Sequence, residues 1–170
     1  QHGLRVIVVE KGMYKDRRDF SLNEGDARLL YEGAGMVLSK GQGLFLLAGS
    51  VVGGGTVVNW SSSLATPSMI RNEWDRIAGF EDVFSSQDFL TSSKIVQQRC
   101  GVNTFSNCIP DKEKGLKKGL ELLGHKAQSL PRNVVGCDGS QCGFCGFGCR
   151  RGCKQSVLET WLQDAVSHGA

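Results

Sequence analysis

The sequence predicts an α/β fold: part of a nucleotide-binding sheet, with inserted helices and a cysteine- and glycine-rich loop packed against it. Three observations predict this. Residues 5–10, RVIVVE, are a continuous apolar run closed by an acid, as in a parallel strand buried on both faces. A triple glycine, Gly53-Gly54-Gly55, ends a second apolar stretch. Beyond residue 66 the apolar residues recur at helical spacing.

The elements follow in order. The chain opens on QHGL, the pattern of a helix tail with Gly3 as its stop, and the strand over 5–10 comes next. Residues 13–34 are polar and without a clear period. Residues 36–47 read as a hairpin, MVL and LFLL joined by the turn SKGQG, and lead directly into the glycines. Thr66-Pro67-Ser68 opens a helix, with Ser68 as its cap, Ile70, Trp74 and Ile77 at i, i+4 and i+7, and Gly79 as its stop. A second helix is expected over 86–99, carrying Phe89, Leu90, Ile95 and Val96. A third is expected over 111–123, with Leu116, Leu120 and Leu123 on one face and weakened by Gly115 and Gly119. Residues 131–153 are the cysteine-rich loop, and a last helix is expected over 155–168, burying Val157, Leu158, Trp161, Leu162, Ala165 and Val166. Both ends fall at the same kind of strand–helix junction, so the chain is expected to be an internal piece of a longer protein and marginally stable alone.

Composition excludes several classes. The 170 residues are about one domain's worth, and 40% hydrophobic with 22% charged residues is an ordinary mixture able to bury a core. A net charge of +3 without a basic run gives no reason to expect a nucleic-acid partner. No apolar run reaches the roughly 18 residues of a membrane span. The two departures are 23 glycines and 7 cysteines.

Bare backbone at 53–55 permits positive φ and lets another group approach the main chain. Such a turn either serves the fold alone or aims amide groups at a phosphate or an anionic ring oxygen. It is neither a P-loop nor the GxGxxG fingerprint. Glu10 is placed where the second strand of a dinucleotide-binding unit carries its ribose-binding acid; as a residue alone it reads rather as a solvated strand end.

Taken together, VIVVEKG, GSVVGGGTVVNWSSSLATP and CGFCGFGCRRGCKQS resemble the glucose–methanol–choline (GMC) oxidoreductases, and within them the long-chain fatty alcohol oxidases, over almost the whole chain. The resemblance implies FAD, bound non-covalently because this stretch lacks the histidine that some relatives attach to the flavin. It implies that Glu10 binds the adenosine ribose. Gly53, Gly54 and Gly55 would let the main chain pass beside flavin and pyrophosphate, with Ser50 and Thr56 close by. Asn59 would sit at the isoalloxazine with Trp60 near it; without the resemblance these two are turn and core residues. It implies an α/β FAD-binding domain divided as 1–66 (strand, hairpin and flavin loop), 67–130 (helical insertion) and 131–170 (cysteine loop and returning helix). The implied reaction is oxidation of a primary, long-chain alcohol to the aldehyde, with oxygen reduced to hydrogen peroxide; a quinone or protein acceptor is the alternative. Association with an internal membrane would come through parts outside this chain.

Cys137, Cys142, Cys145, Cys149 and Cys153 are separated by four, two, three and three residues, with Cys100 and Cys108 farther back. Packed thiols or a local disulfide, an iron–sulfur cluster, zinc and a non-enzymatic metal-binding module all remain open here. The step Lys154-Gln155-Ser156 reads as an ordinary helix start with Ser156 as cap. His2, His125 and His168 read as surface residues. No catalytic acid or base is assigned in this chain, and the resemblance puts that group in the family's C-terminal region. The segment alone is therefore expected to show no turnover.

Overall fold

The computed structural model describes residues 5–105, 109, 111–138 and 142–170; His2, Gly3 and Cys108 lie outside them. Among the described residues, six short α-helices and one two-stranded sheet are the regular elements. They are α1 (Glu24–Ala27), β1 (Val37–Leu38), β2 (Phe45–Leu46), α2 (Gly55–Val58), α3 (Ser68–Ala78), α4 (Gln87–Arg99), α5 (Asp111–Leu122) and α6 (Trp161–Ser167), with 3₁₀ turns between several of them. The strands pair antiparallel, Val37 with Leu46 and Leu38 with Phe45, as the hairpin pattern predicts. Among the described residues no helix is long and apolar enough to cross a membrane.

The core is small and drawn from distant parts of the chain. Phe20, Leu30, Val51, Val57, Val58 and Leu158 form it, and Tyr31, Val52 and Leu162 pack around it. The stretch 13–34, patternless in sequence, thus supplies two core side chains from irregular turns.

The local signals for α3 and α4 hold. Gly79 ends α3 in the left-handed conformation at φ 67°, and the Ser86 hydroxyl caps α4 by accepting from the Phe89 amide at 3.1 Å. Ser68 is a correction: it is the first helical residue, and Pro67 occupies the cap position without a side-chain bond. Between the two helices the Asp75 carboxylate accepts from the amides of Val83, Phe84 and Ser85 and from the Ser85 hydroxyl, at 2.6–3.0 Å. The Phe84 ring bridges Trp74 and Phe89 in edge-to-face contacts. Arg99, at the end of α4, holds Asp164 of α6 through two bonds of 2.7 and 2.6 Å.

Two expectations about whole elements fail as well. Residues 5–10 form no strand: the segment is unpaired, and Ile7 and Val9 are exposed, because no described segment offers it a ladder of backbone partners. The last helix is also shorter than 155–168. A 3₁₀ turn, Val157–Glu159, precedes α6, and Thr160, at φ −123° and ψ −89°, breaks the path between them. The Val157 amide is bonded to the Thr56 hydroxyl 101 residues away, so tertiary contacts draw this stretch out of helical register.

Candidate functional site

The opening segment ends beside the glycine run. Met13 bridges Val51 in parallel, and Gly12 lies so close to the Ser50–Val51 peptide that any Cβ there would overlap it. Glu10 stands exposed at this crossing, and its carboxylate accepts the Gly12 amide at 2.6 Å. Ser50 donates its amide to the Leu30 carbonyl at 2.7 Å. Nearby, Glu32 is held below the usual carboxylate range, first by its bond to Lys11, with a smaller contribution from Ser50. A cleft of about 630 Å³ opens here, lined by Lys11, Gly12, Asn23, Leu30 and Ser50 among others.

The three glycines divide into two kinds. Gly53, at φ 96°, faces inward: a Cβ on it would stand 2.8 Å from Val57 Cγ2 and 3.0 Å from Leu158 Cβ. The chain then folds back so tightly that a Cβ on Gly49 would meet the Gly54 carbonyl carbon at 2.5 Å. Gly54 and Gly55, by contrast, have nothing within 4 Å of where a Cβ would stand. Part of the bare backbone therefore serves internal packing, and part presents an open face. Thr56 does not point its hydroxyl outward; it donates to the Gly53 carbonyl at 2.6 Å and accepts the Val157 amide at 2.9 Å.

Asn59 and Trp60 follow α2 and are both exposed. The Asn59 side chain accepts the Ser61 amide at 3.1 Å. The Ser61 hydroxyl is fully buried and has no partner among the described residues. The Trp60 ring lies against Gly146, where a Cβ would sit 3.2 Å from it.

Sequence reasoning missed what holds this corner in place. Lys154, 1% exposed, reaches under the glycine run and donates to the carbonyls of Val57 at 2.7 Å, Asn59 at 2.5 Å and Cys145 at 2.9 Å. Tyr31 donates to Gly146 O at 2.8 Å, with Val58 O at 3.3 Å sharing the same proton. Arg132 approaches Trp60 O at 3.4 Å and Cys145 Sγ at 2.9 Å. Four consecutive carbonyls, 57 to 60, are thus tied to residues 145 and 146. Burial pulls the Lys154 ammonium down to about 8, the thiols of Cys145 and Cys149 act to raise it, and Arg132 lowers it further. The step Lys154-Gln155-Ser156 is consequently not an ordinary helix start, and Ser156 makes no side-chain cap bond.

Cys100, Cys137, Cys142, Cys145, Cys149 and Cys153 are free thiols. Among the described residues no three His, Cys, Asp or Glu side chains come together as metal ligands. Burial pushes the Cys137 and Cys153 thiols up, with neighbouring cysteines adding to the effect. His125 and His168 are exposed.

A profile described as GMC oxidoreductase matches residues 27–170. The chain belongs to this family. It is 41% identical to the long-chain-alcohol oxidase FAO4B of Arabidopsis thaliana, over 99% of the chain and 22% of that protein. Long-chain-alcohol oxidases FAO3 and FAO1 of the same plant are 38% and 39% identical, again over 99% of the chain and 22% of each protein. The chain therefore spans about a fifth of the length of the curated relatives it matches. No solved structure matches it.

Proposed function

We propose that this chain is the flavin-facing section of an FAD-dependent GMC oxidase that converts a primary long-chain alcohol to the aldehyde and passes the electrons to oxygen, giving hydrogen peroxide. One observation carries the reading. The crossing of Gly12 over Ser50–Val51 brings the segment that carries Glu10 to the peptide just before a glycine run whose Gly54 and Gly55 face open space. An acid and an open glycine face on neighbouring segments support a dinucleotide cofactor, which needs both. The orphaned Ser61 hydroxyl next to Asn59 and Trp60 fits a site that receives a further polar group. The names of the relatives support the substrate class.

When bound, FAD supplies the hydride acceptor. The residues of this chain do the rest of the work at that face. Glu10 exchanges or shares its Gly12 bond with the ribose hydroxyls. Gly54 and Gly55 admit the ring and pyrophosphate to the main chain, while Gly53 and Thr56 fix the turn that presents them. Ser50 borders the cleft on the Glu10 side. Asn59 orients the isoalloxazine with a fixed amide, a preorganised electrostatic role, and Trp60 shields it from solvent. No residue here carries a covalent link to the cofactor, and the proton acceptor for the alcohol belongs to another part of the enzyme. Segments 1–66 and 131–170 form the flavin-facing body, and 67–130 is a helical insertion.

The test is the visible spectrum of the full-length protein, followed by anaerobic and aerobic addition of a long-chain alcohol. Flavin released by acid, bleached by the alcohol and reoxidised by oxygen with peroxide formed is the expected result. A colourless protein, or one whose flavin ignores long-chain alcohols, overturns the reading. Flavin reduced by the alcohol but reoxidised only by a quinone replaces oxygen as the acceptor.

A further inference from the structure

We propose that Lys154 is a positioning residue for the flavin-facing segment: its ammonium fixes the backbone of residues 57–60 against the turn at 145–146 and thereby sets where Asn59 and Trp60 stand. This rests on the function proposed above and deepens it.

The chemistry of the site is unusual for a residue whose only task is to fill space. A lysine ammonium has three N–H donors and no acceptor. Here three carbonyls take them, from Val57, Asn59 and Cys145, and the side chain is withdrawn from water. No carboxylate is among the groups that act on its charge, which are the Cys145 and Cys149 thiols and the Arg132 guanidinium. Burying a charge without a carboxylate partner is costly, and among the described residues the three carbonyl dipoles, helped by the Cys145 and Cys149 sulfurs, offset it. An apolar side chain of the same length would fill the space at lower cost. It would also leave the carbonyls of Val57, Asn59 and Cys145 without this donor.

The placement matters more than the count. Val57 and Asn59 are 97 and 95 residues from Lys154 in sequence, and Cys145 is 9 away. One atom therefore closes two separate segments on each other at the point where the chain leaves the glycine turn. Thr56 makes a second tie one step earlier, through the Val157 amide. Tyr31 and Arg132 add weaker ties to the same stretch. Asn59 and Trp60, the two residues assigned to the ring, are thus carried on a backbone held from behind by Lys154. A shift of that backbone by even a fraction of an ångström would move the amide relative to the ring, and catalysis is sensitive to such shifts.

The experiment compares full-length wild type with Lys154→Met by hydrogen exchange and by anaerobic reduction of bound flavin. Exchange of peptides covering 55–62 and 143–148 is expected to quicken about tenfold in the variant while α3–α5 are unchanged. In the fraction that retains FAD, reduction at saturating alcohol is expected to slow about tenfold, with the apparent affinity for alcohol within about twofold of wild type. Exchange and reduction both at wild-type values overturn the proposal. So does exchange that quickens uniformly over the whole chain with an unaltered reduction rate, since that is loss of stability alone. If the variant does not fold, Lys154→Gln replaces it; it keeps two N–H donors in place of three on a shorter stem and is expected to quicken the same two peptides, and silence there overturns the proposal. A wild type without flavin would refute the functional reading, while the exchange data would still decide whether Lys154 holds the segment.

Discussion

Two buried charges of opposite sign organise two parts of this chain in opposite ways. Asp75 is an acceptor that gathers donors from residues 83–85, eight to ten positions away. Lys154 is a donor that gathers acceptors from residues 57 and 59, across nearly a hundred positions. Around Asp75 the chain organises itself locally, with a helix, a carboxylate that ties the following loop, and a cap for the next helix. Around Lys154 the one-turn α2 is the regular element, and the order comes from segments far apart in sequence. The helical stretch is built to hold its own shape, whereas the body beneath the glycine run holds its shape only when its distant parts are assembled.

Replacing each charge should expose that difference. Lys154→Met is expected to have the largest effect, a loss of about 2–4 kcal/mol in the unfolding of the full-length protein. Three buried carbonyls lose donors at roughly 1–3 kcal/mol each, partly offset by removal of the buried charge. Denaturant titration followed by fluorescence reads it, and a loss below about 1 kcal/mol would mean the ammonium is replaceable by packing alone. Asp75→Ala should be smaller in global stability and confined in space. Its signature is quickened exchange from residue 80 to residue 90 with no change at 55–62; a change that spreads to the glycine run would erase the distinction between the two regions.

The two charges also predict opposite dependences on pH. Burial works to raise the Asp75 carboxyl, but the bonds from Ser85, Phe84 and Val83 outweigh it and hold it below the usual value of 3.8. The stability it contributes is present above that value and is lost as pH falls through its folded one. Lys154 drops from 10.5 to about 8. Between those values the unfolded chain binds the proton that the folded one has released, so stability contributed by this residue rises with pH across that window and is level below it. Lys154→Met should remove the alkaline rise and leave the acid limb untouched. Denaturation midpoints measured from pH 3 to pH 10.5 check both limbs, and an alkaline rise that survives in the variant assigns it to another group.

How much of this was legible follows the same divide. The end of α3 was written in Gly79, a stop that acts within one turn, whereas Ser68 misplaced its start and the Ser86 cap of α4 was not singled out. The glycine run, Glu10 and the Asn59-Trp60 pair were legible as a candidate site through the resemblance of their motifs to the GMC oxidoreductases; residue type alone leaves turn, core and solvated-end readings open. Gly12 was not, although a glycine two residues after the acid was a signal that the chain is crossed there. Lys154 was read as a helix start because its three acceptors lie elsewhere in the sequence. A lysine inside a run of cysteines, followed within four residues by the buried Leu158, was the signal that it is not a surface residue. The strand over 5–10 failed because apolar continuity describes what a segment needs, not whether a partner is at hand.

The most direct test of the account uses Gly55. A Cβ there would stand more than 4 Å from the side chains and distant backbone of the described residues, and its φ is not in the left-handed region, so the fold has room for a side chain to start outward. A flavin resting against the wall leaves no such room. In the full-length protein, Gly55→Leu should leave the unfolding midpoint of the flavin-free form unchanged and reduce bound FAD to less than about a tenth of wild type, as steric exclusion from a preformed site requires. Wild-type FAD content in that variant would place the cofactor elsewhere and contradict the account.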